Sequence, residues 1–316
     1  MLSVTEDILI FIVVCETVLG SLGNGFIGLV NCIECVKNKK FSVIGFILAG
    51  LAVSRSFLIW ILVIDGFLKT FFPDFYVSSG LIECISYLWI IINQSSLWFA
   101  TSLNIFYFLK IANFSHHIFV WLKSGPKRVL LFLTGSLLIS WLLSFPQTVK
   151  IINGHKAQNG SRAWHLNMHK TDYFFSQILV NLGVIFLFTV SLIACFLIII
   201  SLWRHNRRMQ LNATGFRDPS TDAYMRATKM LMSFMVLLIL YFVGITIEVS
   251  CFVLPEEKLL FLFGLSVTLI YPWGHSFILI LGNSKLKQTS LRVLQQLKCY
   301  KKRKKSQCSV AMFGEK

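Results

Sequence analysis

Seven apolar runs, each long enough to cross about 30 Å of hydrocarbon, constrain this chain more than any other feature. They fall near 8–35, 43–68, 81–109, 127–147, 177–203, 228–252 and 259–281. In lipid a backbone amide has no water to bond, so each crossing segment must be helical. Composition agrees. Only 14% of the 316 residues are charged and 55% are of AVILMFWYC type, against about 25% charged in soluble domains. So few charges cannot cover the surface of a soluble fold of this length. An ordinary soluble enzyme, a disordered chain and a secreted disulfide scaffold are thereby excluded. What remains is an all-α membrane protein, a seven-transmembrane helix bundle. The first run does not read as a cleavable signal: it is too long, its leader carries Glu6 and Asp7, and no small-residue cleavage site follows.

The net charge of +16 would suggest nucleic acid in a soluble protein, but its placement says otherwise. With the N-terminus extracellular, the inner segments are 36–42, 110–126, 204–227 and 282–316. Of the 30 Lys and Arg, only Lys69, Lys150, Lys156, Arg162, Lys170 and Lys258 then lie outside. The basic excess is an orientation signal and a contact with anionic lipid at the inner face, and no nucleic-acid partner is expected. The expected organisation is a seven-helix bundle over 1–281 and a basic cytoplasmic tail over 282–316. Short loops, no internal repeat and an odd number of spans count against transporters built from repeated halves.

Of the N-x-S/T triplets, only Asn159-Gly160-Ser161 falls in an expected outer loop, 148–176, so Asn159 is the glycosylation candidate. His155, His165 and His169 suggest a metal at first sight, but no Cys or carboxylate completes a set, and neither a metal nor a cofactor is expected. Among the eight cysteines only Cys32 and Cys35 have CxxC spacing, and no second pair or histidine completes a metal set. Cys299, beside the run Lys301-Lys302-Arg303-Lys304-Lys305, is a weak palmitoylation candidate. No GxSxG, HExxH or paired intramembrane Asp occurs, so no enzyme activity is expected.

Ionisable and polar groups inside spans are expensive and are functional candidates by default. Arg55 on span two, Asn24 on span one, and His275 with Ser276 on span seven lie at similar depths. They form either a polar switch between helices or a static interhelical tie. Glu16 and Glu248 sit in outer halves; Asp65 and Glu83 lie near the outer surface, where water exposure is the simpler expectation. On span three, Trp89 and Asn93 share one helical face. An indole one turn from an amide suits an amphiphilic small-molecule pocket, while interhelical packing is the alternative.

Seven spans with an outer N-terminus and a basic inner face describe a G-protein-coupled receptor, but the rhodopsin-like signatures are absent. Phe106-Tyr107-Phe108-Leu109-Lys110 stands where DRY would, span seven lacks NPxxY, and span six lacks CWxP. Six strings, in order, resemble the type 2, or bitter, taste receptor family. They are Gly23-Asn24-Gly25-Phe26-Ile27, Leu51 to Arg55, Trp98-Phe99-Ala100-Thr101 through Ser115, Ser201-Leu202-Trp203-Arg204-His205, Thr214-Gly215-Phe216-Arg217-Asp218, and His275 to Lys287. Within that family the chain looks closest to the member-10-like branch.

The resemblance implies a multi-pass plasma-membrane receptor that binds bitter compounds and activates a gustducin-type heterotrimeric G protein. Carried over by position, it implies ligand contacts at Trp89, Asn93, Gln177 and Leu265, with Tyr241 at the span-six switch aromatic. It also implies an inner polar network including Asn24 and Arg55, and a DRY substitute at Tyr107 and Lys110. His205 and Arg208 belong to a cationic inner rim expected to meet the G protein. A vomeronasal type 1-like pheromone receptor is the architectural rival, and a multi-pass transporter or channel the more distant one.

Overall fold

The computed structural model describes residues 4–39, 42–72, 75–76, 81–111, 117–160, 170–211, 219–251 and 258–313. The helices are α1 (Val4–Asn38), α2 (Val43–Phe71), α3 (Leu81–Ile111), α4 (His117–Ser124), α5 (Pro126–Gly160), α6 (Lys170–Leu211), α7 (Pro219–Cys251), α8 (Lys258–Gly282) and α9 (Ser284–Phe313). All seven expected spans are helices: α1, α2, α3, α5, α6, α7 and α8. The short α4 and the tail helix α9 lie outside the spans.

The helices outrun the hydrocarbon. α5 continues to Gly160, and α6 begins at Lys170 and ends at Leu211. Asn159 therefore lies on the end of a helix rather than in a loop. Leaving the hydrocarbon does not end a helix, and 148–160 contains no Pro to stop it. His165 and His169 lie outside the described residues.

The bundle's core is largely apolar, but its seam along α1 is not. On α1 the buried residues include Glu16, Thr17, Gly20, Gly23, Asn24, Ile27 and Asn31, a stripe at helical spacing rich in small and polar side chains. Phe11, Val18, Leu22 and Leu29 point outward. Lipid is as apolar as leucine, so the seams are made by close packing and hydrogen bonds rather than by segregating hydrophobes. Gly50 shows how close that packing is: a Cβ there would lie 2.2 Å from a Phe99 ring carbon, so α2 and α3 meet only because the side chain is missing.

Among the described residues, six helices have a stretch long and apolar enough to cross a membrane on length and composition; α3 is not among them. Its middle carries Asn93-Gln94-Ser95-Ser96. α3 packs against α2, α5, α6 and α7, so its polar face is sheltered by protein rather than shown to lipid.

Capping sets the inner ends. The Ser42 hydroxyl accepts from Gly45 N–H at 3.0 Å and starts α2. Asn283 Oδ1 accepts from Lys285 N–H at 3.0 Å and Leu286 N–H at 3.3 Å, which breaks the chain away from α8 and begins α9. Lys285 then pairs with Glu34, tying α9 to the inner end of α1.

Candidate functional site

A side-chain hydrogen bond links α3 to α7. The Tyr241 hydroxyl donates to Asn93 Oδ1 at 2.7 Å. Tyr241 is 0% exposed and Asn93 1%. Tyr241 also packs against the Tyr271 ring of α8 at 4.9 Å between centroids, so three helices converge at this point. Trp89, one turn outward of Asn93, is half-buried against the core. Leu265 is buried on α8 and turned toward α2, where a Cβ on Gly66 would come within 2.6 Å of its methyl. Gln177 falls on α6, but its side chain lies outside the described residues.

The outer half also holds acids with partners. Glu248 Oε1 accepts from the Thr268 hydroxyl at 2.5 Å, linking α7 to α8. Trp273 Nε1 donates to Glu16 Oε1 at 3.3 Å. Asp65 is not the water-exposed group expected of it: Lys69 donates to Oδ2 at 2.5 Å and the Tyr76 hydroxyl to Oδ1 at 2.6 Å. Burial and the Asp65 charge push the Tyr76 phenol well above its ordinary pKa. Helical spacing puts Lys69 within reach of Asp65, and the chain folds Tyr76 back over both.

One sequence expectation is half right. Asn24 and Ser276 do meet: the Ser276 hydroxyl donates to Asn24 Oδ1 at 2.7 Å. Asn24 Nδ2 donates to the Gly20 carbonyl at 2.9 Å and across the seam to the Pro272 carbonyl at 3.2 Å. Arg55 does not join them. It is 0% exposed, and none of its Nε, Nη1 and Nη2 atoms has a hydrogen-bond partner. It lies instead 4.7 Å from the centroid of the Tyr271 ring. Asn24 gives its amide hydrogens to two carbonyls, and its oxygen accepts from Ser276. His275 is buried beside the Phe234 ring at 4.7 Å.

Gln94 was passed over in the sequence, yet it ties three helices. Its Nε2 donates to Ser144 Oγ at 3.0 Å, the Ser140 hydroxyl donates to its Oε1 at 2.9 Å, and Ser144 Oγ lies 3.0 Å from the Val180 carbonyl. The available signal was Ser140 and Ser144 one turn apart on one face of α5.

At the inner end, the Tyr107 phenol of the DRY substitute lies near the Asn283 side chain, at the start of α9. Lys110 is exposed one turn further on. His205 and Arg208 fall on the inward extension of α6, but their side chains, like that of Asn159, lie outside the described residues.

Seven crossing helices, a polar seam between the first and last, and an aromatic and amide cluster at the heart of the bundle define a seven-helix receptor of the G-protein-coupled class. A family model described as Taste receptor protein (TAS2R) matches residues 1–298. The chain is 65% identical over 310 residues to taste receptor type 2 member 10 of Pongo pygmaeus, covering 98% of this chain and 100% of that one. It is 64% identical over 304 residues to the Homo sapiens member 10, covering 96% and 98%. To taste receptor type 2 member 107 of Mus musculus it is 51% identical over 299 residues, covering 95% and 97%. The chain belongs to the type 2 taste receptor family, membrane receptors for bitter small molecules that couple to G proteins. It is a receptor rather than an enzyme, and the vomeronasal and transporter readings are set aside.

Proposed function

We propose that bitter agonists bind in the outer half of the bundle, over the Tyr241–Asn93 bond, and that the inner face activates a gustducin-type heterotrimeric G protein. The observation that carries this reading is that bond itself. It links an α3 residue to an α7 residue at the depth where an amphiphilic ligand entering from outside would end. Trp89 offers the ligand apolar area, Asn93 a polar partner, and Gln177 and Leu265 complete the contact set from α6 and α8. Tyr241 is the element that moves: a ligand seated on Asn93 competes for the acceptor that holds α7 against α3.

Residues 1–281 act as the receptor bundle and 282–316 as the inner tail. Tyr107, Lys110, His205 and Arg208 line the groove for the C-terminal helix of the α-subunit, which docks by an apolar stripe, while the cations supply orientation and on-rate more than affinity. Exposed Leu291, Leu294 and Tyr300 on α9, among Arg292, Lys298 and the basic run that follows, suit the surface of an anionic leaflet.

The test is agonist-evoked calcium in cells expressing the full chain, with and without gustducin-type α-subunits. Replacing His205 and Arg208 together with Ala is expected to cut activation while surface level and agonist binding persist. If activation survives at normal surface level, the docking role is wrong.

A further inference from the structure

We infer that Tyr271 is the positioning residue that carries the release of Tyr241 to the inner half of the bundle, by exchanging its ring face for its hydroxyl as the contact of Arg55. The inference rests on the reading that Tyr241 is the element an agonist moves. It goes further in naming what Tyr241 moves against.

Tyr271 is 0% exposed, and its ring is the hub of a set of contacts that joins three helices. On α7, Tyr241 packs against it at 4.9 Å between centroids, and Phe234, two turns further in, at 6.2 Å. On α8, His275 stacks near-parallel to it one turn inward, at 6.3 Å, and Phe234 packs on His275 in turn at 4.7 Å. On α2, the Arg55 guanidinium lies 4.7 Å from its centroid. Close-packed interiors transmit a displacement rather than absorb it. The Tyr271 ring is therefore where a movement of Tyr241 first reaches α8 and α2.

Hydrogen bonding gives that movement a direction. The Arg55 Nε, Nη1 and Nη2 atoms have no partner, and neither has the buried Tyr271 hydroxyl. Held over the ring, the cation gains only the attraction of the aromatic face. The phenol oxygen lies at the ring's edge, and no guanidinium nitrogen bonds it here. Facing the ring and bonding its oxygen are different placements of the guanidinium. The second is a charge-assisted hydrogen bond that satisfies two buried groups at once. A side-chain rotation separates the two placements, and a switch needs such a pair of discrete arrangements. Asn24 Oδ1 and the unpartnered Glu16 Oε2 are also acceptors, but neither belongs to the ring contacts that begin at Tyr241.

The experiment compares wild type, Tyr241→Phe, Tyr271→Phe and the double variant by inositol phosphate per surface receptor, without agonist and at saturating agonist. It also measures Tm of the purified full-length Tyr271→Phe receptor. Tyr271→Phe keeps every ring contact and deletes only an oxygen that has no partner at rest. Its Tm should be unchanged or higher. Its active-to-resting ratio should fall about 10-fold, the size of one hydrogen bond to a charged group, so the maximal response drops. In the double variant, Tyr271→Phe should bring the raised basal signal of Tyr241→Phe back toward wild type. A double variant that signals as strongly as Tyr241→Phe alone would overturn the inference and leave the reading of Tyr241 intact. A full maximal response in Tyr271→Phe would overturn it too. So would a Tm several degrees below wild type, since the hydroxyl would then be bonded at rest. Unchanged basal signalling in Tyr241→Phe itself would end the reading of Tyr241, and this inference with it.

Discussion

Asn24 and Asn93 are both deep in the bundle, each 1% exposed, yet they are bonded differently. Asn24 sits on the α1–α8 seam with three bonds: Gly20 and Pro272 carbonyls take its amide, and Ser276 donates to its oxygen. Asn93 sits on the α3–α7 seam, where its side-chain oxygen accepts from Tyr241. A bond to a carbonyl of a helix moves only if the helix moves. A bond to a phenol can be exchanged by a rotation of one side chain. The first arrangement suits a permanent tie and the second an element that responds to a ligand.

Four substitutions sharpen or break that contrast. The largest expected effect is at Trp89, beside the responsive seam. Trp89→Ala removes apolar contact worth about 1.5–3 kcal/mol, so half-maximal concentrations in calcium imaging should rise about 10- to 100-fold for most agonists. Wild-type potency in Trp89→Ala would move the pocket elsewhere. Next, Asn24→Leu should lower stability by about 1–2 kcal/mol, since interhelical hydrogen bonds in membranes are individually modest. Surface expression should fall while the rank order of agonists stays the same. A reordered agonist series would mean the α1–α8 seam is not a passive tie.

Asn93→Ala should be selective, costing agonists that hydrogen-bond it about 0.5–1.5 kcal/mol and sparing the others. A uniform loss that tracks surface level would make Asn93 a packing residue like Asn24. The smallest effect belongs to Tyr241→Phe, which keeps the ring and deletes only the hydroxyl. Raised basal signalling with near-normal expression is expected, read as agonist-free inositol phosphate, because α7 loses its hold on α3. Unchanged basal signalling would make the bond incidental.

The polar groups themselves could be read from the chain, but their pairing only in part. Asn24 and Ser276 lie at matching depths, and they meet. Arg55 matches the same depth, yet it faces Tyr271, because depth along a helix says nothing about azimuth. Gln94 was overlooked beside Asn93 because adjacent helical positions point about 100° apart; one faces α7 and the other α5 and α6. Asp65 looked like a surface acid until Tyr76 folded back onto it from beyond the end of α2.

What the sequence by itself determined was the number of crossing helices, an expectation of their direction through the membrane, and the family. Each of these is written locally. A lipid-embedded backbone must bond within its own segment, and the Lys and Arg bias acts loop by loop. Only the tertiary structure decided that Tyr241 reaches Asn93 across 148 residues of chain, that α5 and α6 extend into the expected outer loop, and that Arg55 is left without an acceptor. Those outcomes depend on how each helix is rotated against its neighbours. In lipid that rotation is set by collective close packing at positions such as Gly50 and Gly66, not by a hydrophobic face that a single sequence displays.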